Sequence, residues 1–143
     1  MARYLVIAYQ TAESPELLER LKQIAEAEEG TRFVLLVPAT AAEHLRLVTE
    51  DVSEVLALSA VQRAQRHFQE EGIELSEVRV SDPNPIVAAT EELANFSPYD
   101  GIVVSTFPPG VSRWLKMDIV SRIQRISSTP VTHVVSHTAT GGG

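Results

Sequence analysis

The residues best suited to hold a ligand lie in one loop, Ser105-Thr106-Phe107-Pro108-Pro109-Gly110-Val111-Ser112-Arg113-Trp114. It carries hydroxyls, one glycine and an arginine, and a guanidinium can grip phosphate or carboxylate through two parallel hydrogen bonds. The same residues also have structural duties to offer. Pro108-Pro109 stiffen a loop, Gly110 permits a turn, and Trp114 with Leu115 can plug a core. Ser105 has a nucleophile's position at a strand end, but the Gly-x-Ser-x-Gly elbow is missing and the sequence implies no acid–base partner.

The four histidines do not assemble into a metal site. His44 and His67 fall on predicted helices, on solvated faces. His133 and His137 would share a face of a continuous strand, but with backbones about 13 Å apart, too far for one ion. With no third ligand in view, no metal is expected. Cysteine is absent, which excludes disulfides, thiolate metal sites and cysteine nucleophiles and suits a reducing cytosol.

Five apolar runs alternate with helical patterns, the arrangement of a parallel sheet with crossover helices. Tyr4–Ala8 is the first strand, and Ser14-Pro15 then caps a helix with Leu17, Leu18, Leu21, Ile24 and Ala25 inward and Gly30 as its stop. Arg32–Val37 is uniformly apolar after its first residue, as befits a strand covered on both faces. Thr40 and Glu43 match a capping box for a short helix, and a longer one runs from about Val52 to Glu71. Leu75–Val80 alternates in polarity and reads as a sheet edge. Asn84-Pro85 opens a helix with Ile86, Ala89, Leu93 and Phe96 on one face. Gly101–Ser105 and Val131–Val135 are the last strands, and between them Asp118 caps a helix burying Ile119, Val120, Ile123 and Ile126.

This order predicts an α/β fold: a doubly wound five-stranded parallel sheet, strand order 3-2-1-4-5, with helices on both faces. Residues 1–137 form one domain and 138–143 a disordered tail. Ligands bind such sheets beyond the carboxyl ends of the strands where the order reverses, here between the first and fourth. The candidate binding residues are therefore Tyr9, Gln10, Thr11, Ser105, Thr106, Gly110, Ser112 and Arg113. A phosphorelay receiver is disfavoured because Tyr9-Gln10 stands where its acidic residues belong. In a flavodoxin reading, Glu13 would sit where phosphate is held.

Asp82-Pro83, followed by Ile86 and by Asp100-Gly101-Ile102-Val103-Val104, resembles the Gly-Asp-Pro … Asp-Leu-Ile-Val arrangement of universal stress proteins. Pro130-Val131 and the strand after it resemble that family's Pro-Val-Leu-Val-Val ending. The resemblance implies the adenine nucleotide alpha hydrolase-like, universal stress protein-like fold and a homodimer paired through the last strand, with Val131, His133, Val134 and Val135 at the edge. ATP-binding members carry Gly-x2-Gly-x9-Gly-Ser/Thr after strand four. Those positions fall on Ser105, Pro108, Asp118 and Ile119, and none matches. Pro108 has no amide hydrogen, and Asp118 would set a carboxylate at the helix start.

The resemblance thus implies a non-enzymatic stress-response or regulatory domain with no cofactor and no ATP bound in the usual way. One alternative is a nucleotide whose phosphate is held by Ser112 and Arg113. A third reading is a small-molecule enzyme of the adenine nucleotide hydrolase-like group. The net charge of −7 argues against nucleic acid and anionic membranes as partners. From Gly110 onward, however, Arg113, Lys116, Arg122 and Arg125 face only Asp118, a +3 segment that leaves −10 elsewhere. That basic corner would favour a small anionic ligand. A cytoplasmic location is expected from the absence of cysteine, and no run approaches the roughly 18 apolar residues of a membrane span.

Overall fold

The computed structural model describes residues 2–9, 11–38, 62–81 and 84–137. Its elements are β1 (Arg3–Ile7), α1 (Pro15–Ala27), β2 (Arg32–Pro38), a helix α2 described over 62–70, β3 (Leu75–Ser81), α3 (Pro85–Phe96), β4 (Gly101–Thr106), α4 (Arg113–Lys116), α5 (Ile119–Ile126) and β5 (Val131–Val135). The strands form one sheet in the order β3-β2-β1-β4-β5, every neighbouring pair parallel, as predicted. The capping box at Thr40 and Glu43, His44, the start of the helix predicted from Val52, Asp82-Pro83 and the tail lie outside the described residues.

Alternation along buried strands divides the core in two. Val6, Leu35 and Val103 face α1 and α2, where Leu17, Leu21 and Phe68 meet them. Leu5, Ile7, Val34, Leu36, Ile102 and Val104 face α3 and α5, against Ala88, Ala89, Ile119 and Ile123. With both faces covered, the central strands have no polar side to show, hence the unbroken apolar runs. Between β1 and β4 the packing is close enough to demand glycine. A Cβ at Gly101 would stand 2.3 Å from Tyr4 Cε2.

The helix starts follow the expected chemistry. Ser14 Oγ accepts the Leu17 amide at 3.2 Å, and Asn84 Oδ1 accepts those of Ile86 at 2.9 Å and Val87 at 3.3 Å. Three expectations need correction. Ile126 and Phe96 are each 42% exposed, so neither belongs to the core. The inward position on α3 goes instead to Glu92, which is 3% exposed. The stretch predicted as loop before Asp118 contains the short helix α4.

Glu92 is buried because its charge is matched. Arg79 on β3 reaches it with two bonds, Nε to Oε1 at 2.8 Å and Nη2 to Oε2 at 2.5 Å, and the Tyr99 hydroxyl donates to Oε2. The Arg79 guanidinium also stacks 3.7 Å from the centre of the Phe96 ring, which explains that ring's outward position. Arg3 lies 4.2 Å over the Tyr99 ring and donates to the Phe96 and Pro98 carbonyls at 2.6 and 3.0 Å. Burial pushes the Glu92 carboxyl up, but Arg79 and Tyr99 outweigh it and hold the group below the usual carboxylate range. Burial first, then the bond to Glu92, pushes the Tyr99 phenol up to about 12.

Candidate functional site

The carboxyl ends of β1 and β4 meet at the point where the sheet changes direction. After β1 the chain makes two tight turns, with Ala12 N donating to Tyr9 O and Ser14 N to Thr11 O, both at 3.1 Å. Those turns bury Thr11 and set Ser14 at the head of α1. Ser105 and Thr106 end β4, while Ser136 follows β5 and is tied to β4 by Ser136 N donating to Thr106 O at 2.8 Å. The result is a line of four buried hydroxyls. Thr11 Oγ1 is 2.7 Å from Ser105 Oγ, Ser105 Oγ is 3.2 Å from Ser136 Oγ, and Ser136 Oγ is 2.7 Å from Ser14 Oγ.

Above this line lies a cavity of 490 Å³. Thr11, Ser105, Thr106 and Ser112 supply its polar wall, while Tyr9, Phe107, Val111 and Trp114 supply the apolar one. Arg113 stands at the rim, exposed, as the one charged residue among the described lining residues. Volume and mixed lining both suit a small organic molecule.

Two amides of the loop between β4 and α5 are taken up within the loop itself. The amides of Val111 and Ser112 both donate to the Pro108 carbonyl, at 3.1 and 3.0 Å, and Gly110 completes the turn at φ 90°. Ser112 Oγ accepts the Leu115 amide at 3.1 Å, capping α4. Asp118 stands where the ATP-binding pattern has its third glycine, and its φ is 56°, a left-handed conformation that glycine adopts most easily. The bend survives without the residue that usually makes it. Contrary to expectation, the Asp118 side chain makes no capping bond to α5.

Of the sequence candidates, the structure brings Tyr9, Thr11, Ser105, Thr106, Ser112 and Arg113 around one cavity. Gly110 shapes the loop but does not line the cavity, and Gln10 lies outside the described residues. Sequence reasoning missed Phe107 and Val111 as walls, and Ser14 and Ser136 as members of the hydroxyl line. Ser14 was legible only as a helix cap. Ser136 follows directly on a strand predicted to end at this side of the sheet, and that position was the available signal.

The two C-terminal histidines go to different partners. His133 Nε2 is 2.8 Å from Thr106 Oγ1, and burial holds its imidazole below the ordinary range. His137 is bound to Glu16 instead, its amide donating to Oε2 at 2.8 Å with Nδ1 3.2 Å from the same oxygen. That amide is the main reason the Glu16 carboxyl titrates lower than usual. Among the described residues no group of three or more His, Cys, Asp or Glu could hold a metal ion. Nor is any of their helices long and apolar enough to cross a membrane.

At the proposed dimer edge, β5 pairs with β4 on one side only among the described residues. Val131, His133 and Val135 are half-buried there, but Val134 is 6% exposed and belongs to the core on the α1 face. Val134 is therefore a packing residue of the protomer.

No protein-family model matches the chain, and no curated protein sequence does. Solved structures do. A universal stress protein from Archaeoglobus fulgidus superposes with a TM-score of 0.57 at 15% identity, over 94% of this chain and 93% of that one. The hypothetical protein MJ0577, the subject of a structure-based assignment of biochemical function, gives 0.58 at 13% identity, over 96% and 98%. With the strand order and the two-faced core, this likeness gives the chain the universal stress protein fold.

Proposed function

We propose that this chain is a non-catalytic regulatory domain of the universal stress protein type that binds a small ligand at the switch point, and not ATP through the usual phosphate grip. The observation that carries this reading is the state of the loop after β4. Its Val111 and Ser112 amides are already bonded to the Pro108 carbonyl, and Pro108 has no amide to offer. Catalysis is disfavoured because the described lining residues include no carboxylate, imidazole or thiol to act as acid, base or nucleophile. The edge of β5 that pairs with no strand among the described residues supports a homodimer, and the lack of cysteine supports a cytoplasmic setting.

A nucleotide is the second reading. It is favoured by aromatic Tyr9, Phe107 and Trp114 around the cavity, on which a base could stack, with Arg113 at the rim for phosphate. Isothermal titration with ATP, ADP, AMP and cyclic nucleotides separates the two. The first reading expects no ATP binding up to millimolar concentration. Micromolar ATP binding that Arg113→Ala abolishes would sink it and establish the second.

A further inference from the structure

The protons in the hydroxyl line can be assigned by counting, although distances alone leave donor and acceptor open at each step. A hydroxyl owns one hydrogen and can accept twice, and buried hydroxyls are hydrogen-bonded almost without exception. Ser14 is fully buried, and its Oγ already accepts the Leu17 amide. Among the described residues, the acceptor within reach of its own hydrogen is Ser136 Oγ. Ser136 must then donate to Ser105, and between Ser105 and Thr11 one hydrogen makes the bond while the other is free. Whichever of the two donates, one hydrogen of the Thr11–Ser105 pair is left over at the cavity that both line.

A second hydrogen ends at the same place. Ser112 is 3% exposed, and its oxygen is occupied by the Leu115 amide. Its hydrogen has no acceptor among the described residues, and Ser112 lines the cavity. Thr106 is different. It donates to the Phe107 carbonyl at 2.8 Å, so its bond with His133 is given by the imidazole N–H. The cavity therefore presents two hydroxyl donors, one from the Thr11–Ser105 pair and one from Ser112, with one cation, Arg113, at the rim.

We infer that the ligand is a monocarboxylic acid with a compact apolar body. Its carboxylate accepts from the Thr11–Ser105 pair and from Ser112 and pairs with Arg113, while its body lies against Tyr9, Phe107 and Trp114. A doubly charged phosphate would ask for more, namely free backbone amides or a second cation. The Val111 and Ser112 amides are already bonded within the loop. This inference rests on the ligand-site reading above and names the chemistry of that site.

The test is isothermal titration of the full chain with phenylacetate, indole-3-acetate and hexanoate, each beside its primary amide, and with phenylphosphonate and ATP. At least one acid is expected to bind about tenfold or more tightly than its amide, since a charge-assisted bond is roughly twice as strong as a neutral one. Thr11→Val combined with Ser105→Ala takes away the donor on that wall and is expected to remove that preference, and Thr11→Ser alone to keep it. Ser112→Asp retains an N-cap for α4 but exchanges the donor for a carboxylate, and should abolish acid binding while leaving the melting temperature close to that of the parent. Acids and amides of equal affinity, or an acid preference that survives the combined Thr11→Val and Ser105→Ala change, would overturn the inference. Phenylphosphonate or ATP binding through Arg113 without any acid would overturn it too, yet leave the ligand site standing. Silence across the whole panel would remove both.

Discussion

Two polar clusters lie within this fold, and they are built on opposite principles. The Arg79–Glu92–Tyr99 cluster uses full charges, and each is matched: two bonds to one carboxylate, a phenol on the same group, aromatic faces under the two arginines. The Thr11–Ser105–Ser136–Ser14 line uses neutral hydroxyls and leaves a hydrogen at its cavity end. The first cluster is closed and binds edge strand β3 to α3 and the turn before β4. The second is open on one side. Polarity that is fully satisfied rigidifies a fold, whereas polarity left one partner short is available to a ligand.

The contrast is broken most forcefully at Glu92. Glu92→Ala leaves the Tyr99 hydroxyl and two Arg79 bonds short, but Arg79 is partly exposed and keeps Glu77. The loss is therefore expected at about 2–3 kcal/mol, that of hydrogen bonds to a charged group. Urea denaturation followed by circular dichroism measures the loss, and ligand affinity of the folded protein should not change. A loss of less than about 1 kcal/mol, the range of exposed pairs, would mean that the cluster contributes little.

Ser105→Ala sharpens the comparison from the other side. It removes the centre of the hydroxyl line and leaves buried partners short, at about 1–3 kcal/mol. Unlike the change at Glu92, it should also alter binding, because a freed Thr11 hydroxyl can turn to donate or accept. The same denaturation experiment, run beside titration with an acid and its amide, reads both effects. Unchanged stability would show that the hydroxyls are not mutually supporting.

The smallest effect concerns His133, which borders the open cluster through Thr106. Burial lowers its proton affinity in the folded state. Stability tied to the neutral ring is thus fully present above the unfolded value of about 6.5, and is lost as pH falls from there through the lower folded value. Denaturation midpoints measured from about pH 7 to about pH 5 should fall in the parent and fall less in His133→Gln. Equal slopes would remove His133 as the cause.

The framework was legible because its signals are local and repetitive. Uniform apolar runs in β2 and β4, Ser14-Pro15 and Asn84-Pro85 as helix starts, and the crossover order were enough for the sheet topology. Glu92 was not legible, because a glutamate on a helix reads as solvated unless its partner is known, and Arg79 is on another element. The loop after β4 was readable as a departure from a phosphate grip, since proline and aspartate have definite backbone consequences. Its internal bonding was not, because the use of Val111 and Ser112 amides depends on how Gly110 turns the chain. Ser14, Ser105 and Ser136 are far apart in sequence and ordinary in type. Only the converging ends of β4 and β5 and the start of α1 make them neighbours.

The contact between Tyr4 and Gly101 sets a history as well as a packing limit. With a Cβ at 101 only 2.3 Å from the Tyr4 ring, the two positions cannot vary independently. A larger residue at 101 is admissible only after the ring at 4 has shrunk or moved. The reverse change leaves a void first and can be filled afterwards. Substitution at 101 is therefore coupled to the ring at 4, which must give way, by movement or by replacement, before any side chain fits there. An aromatic at one and glycine at the other should be inherited as a linked pair.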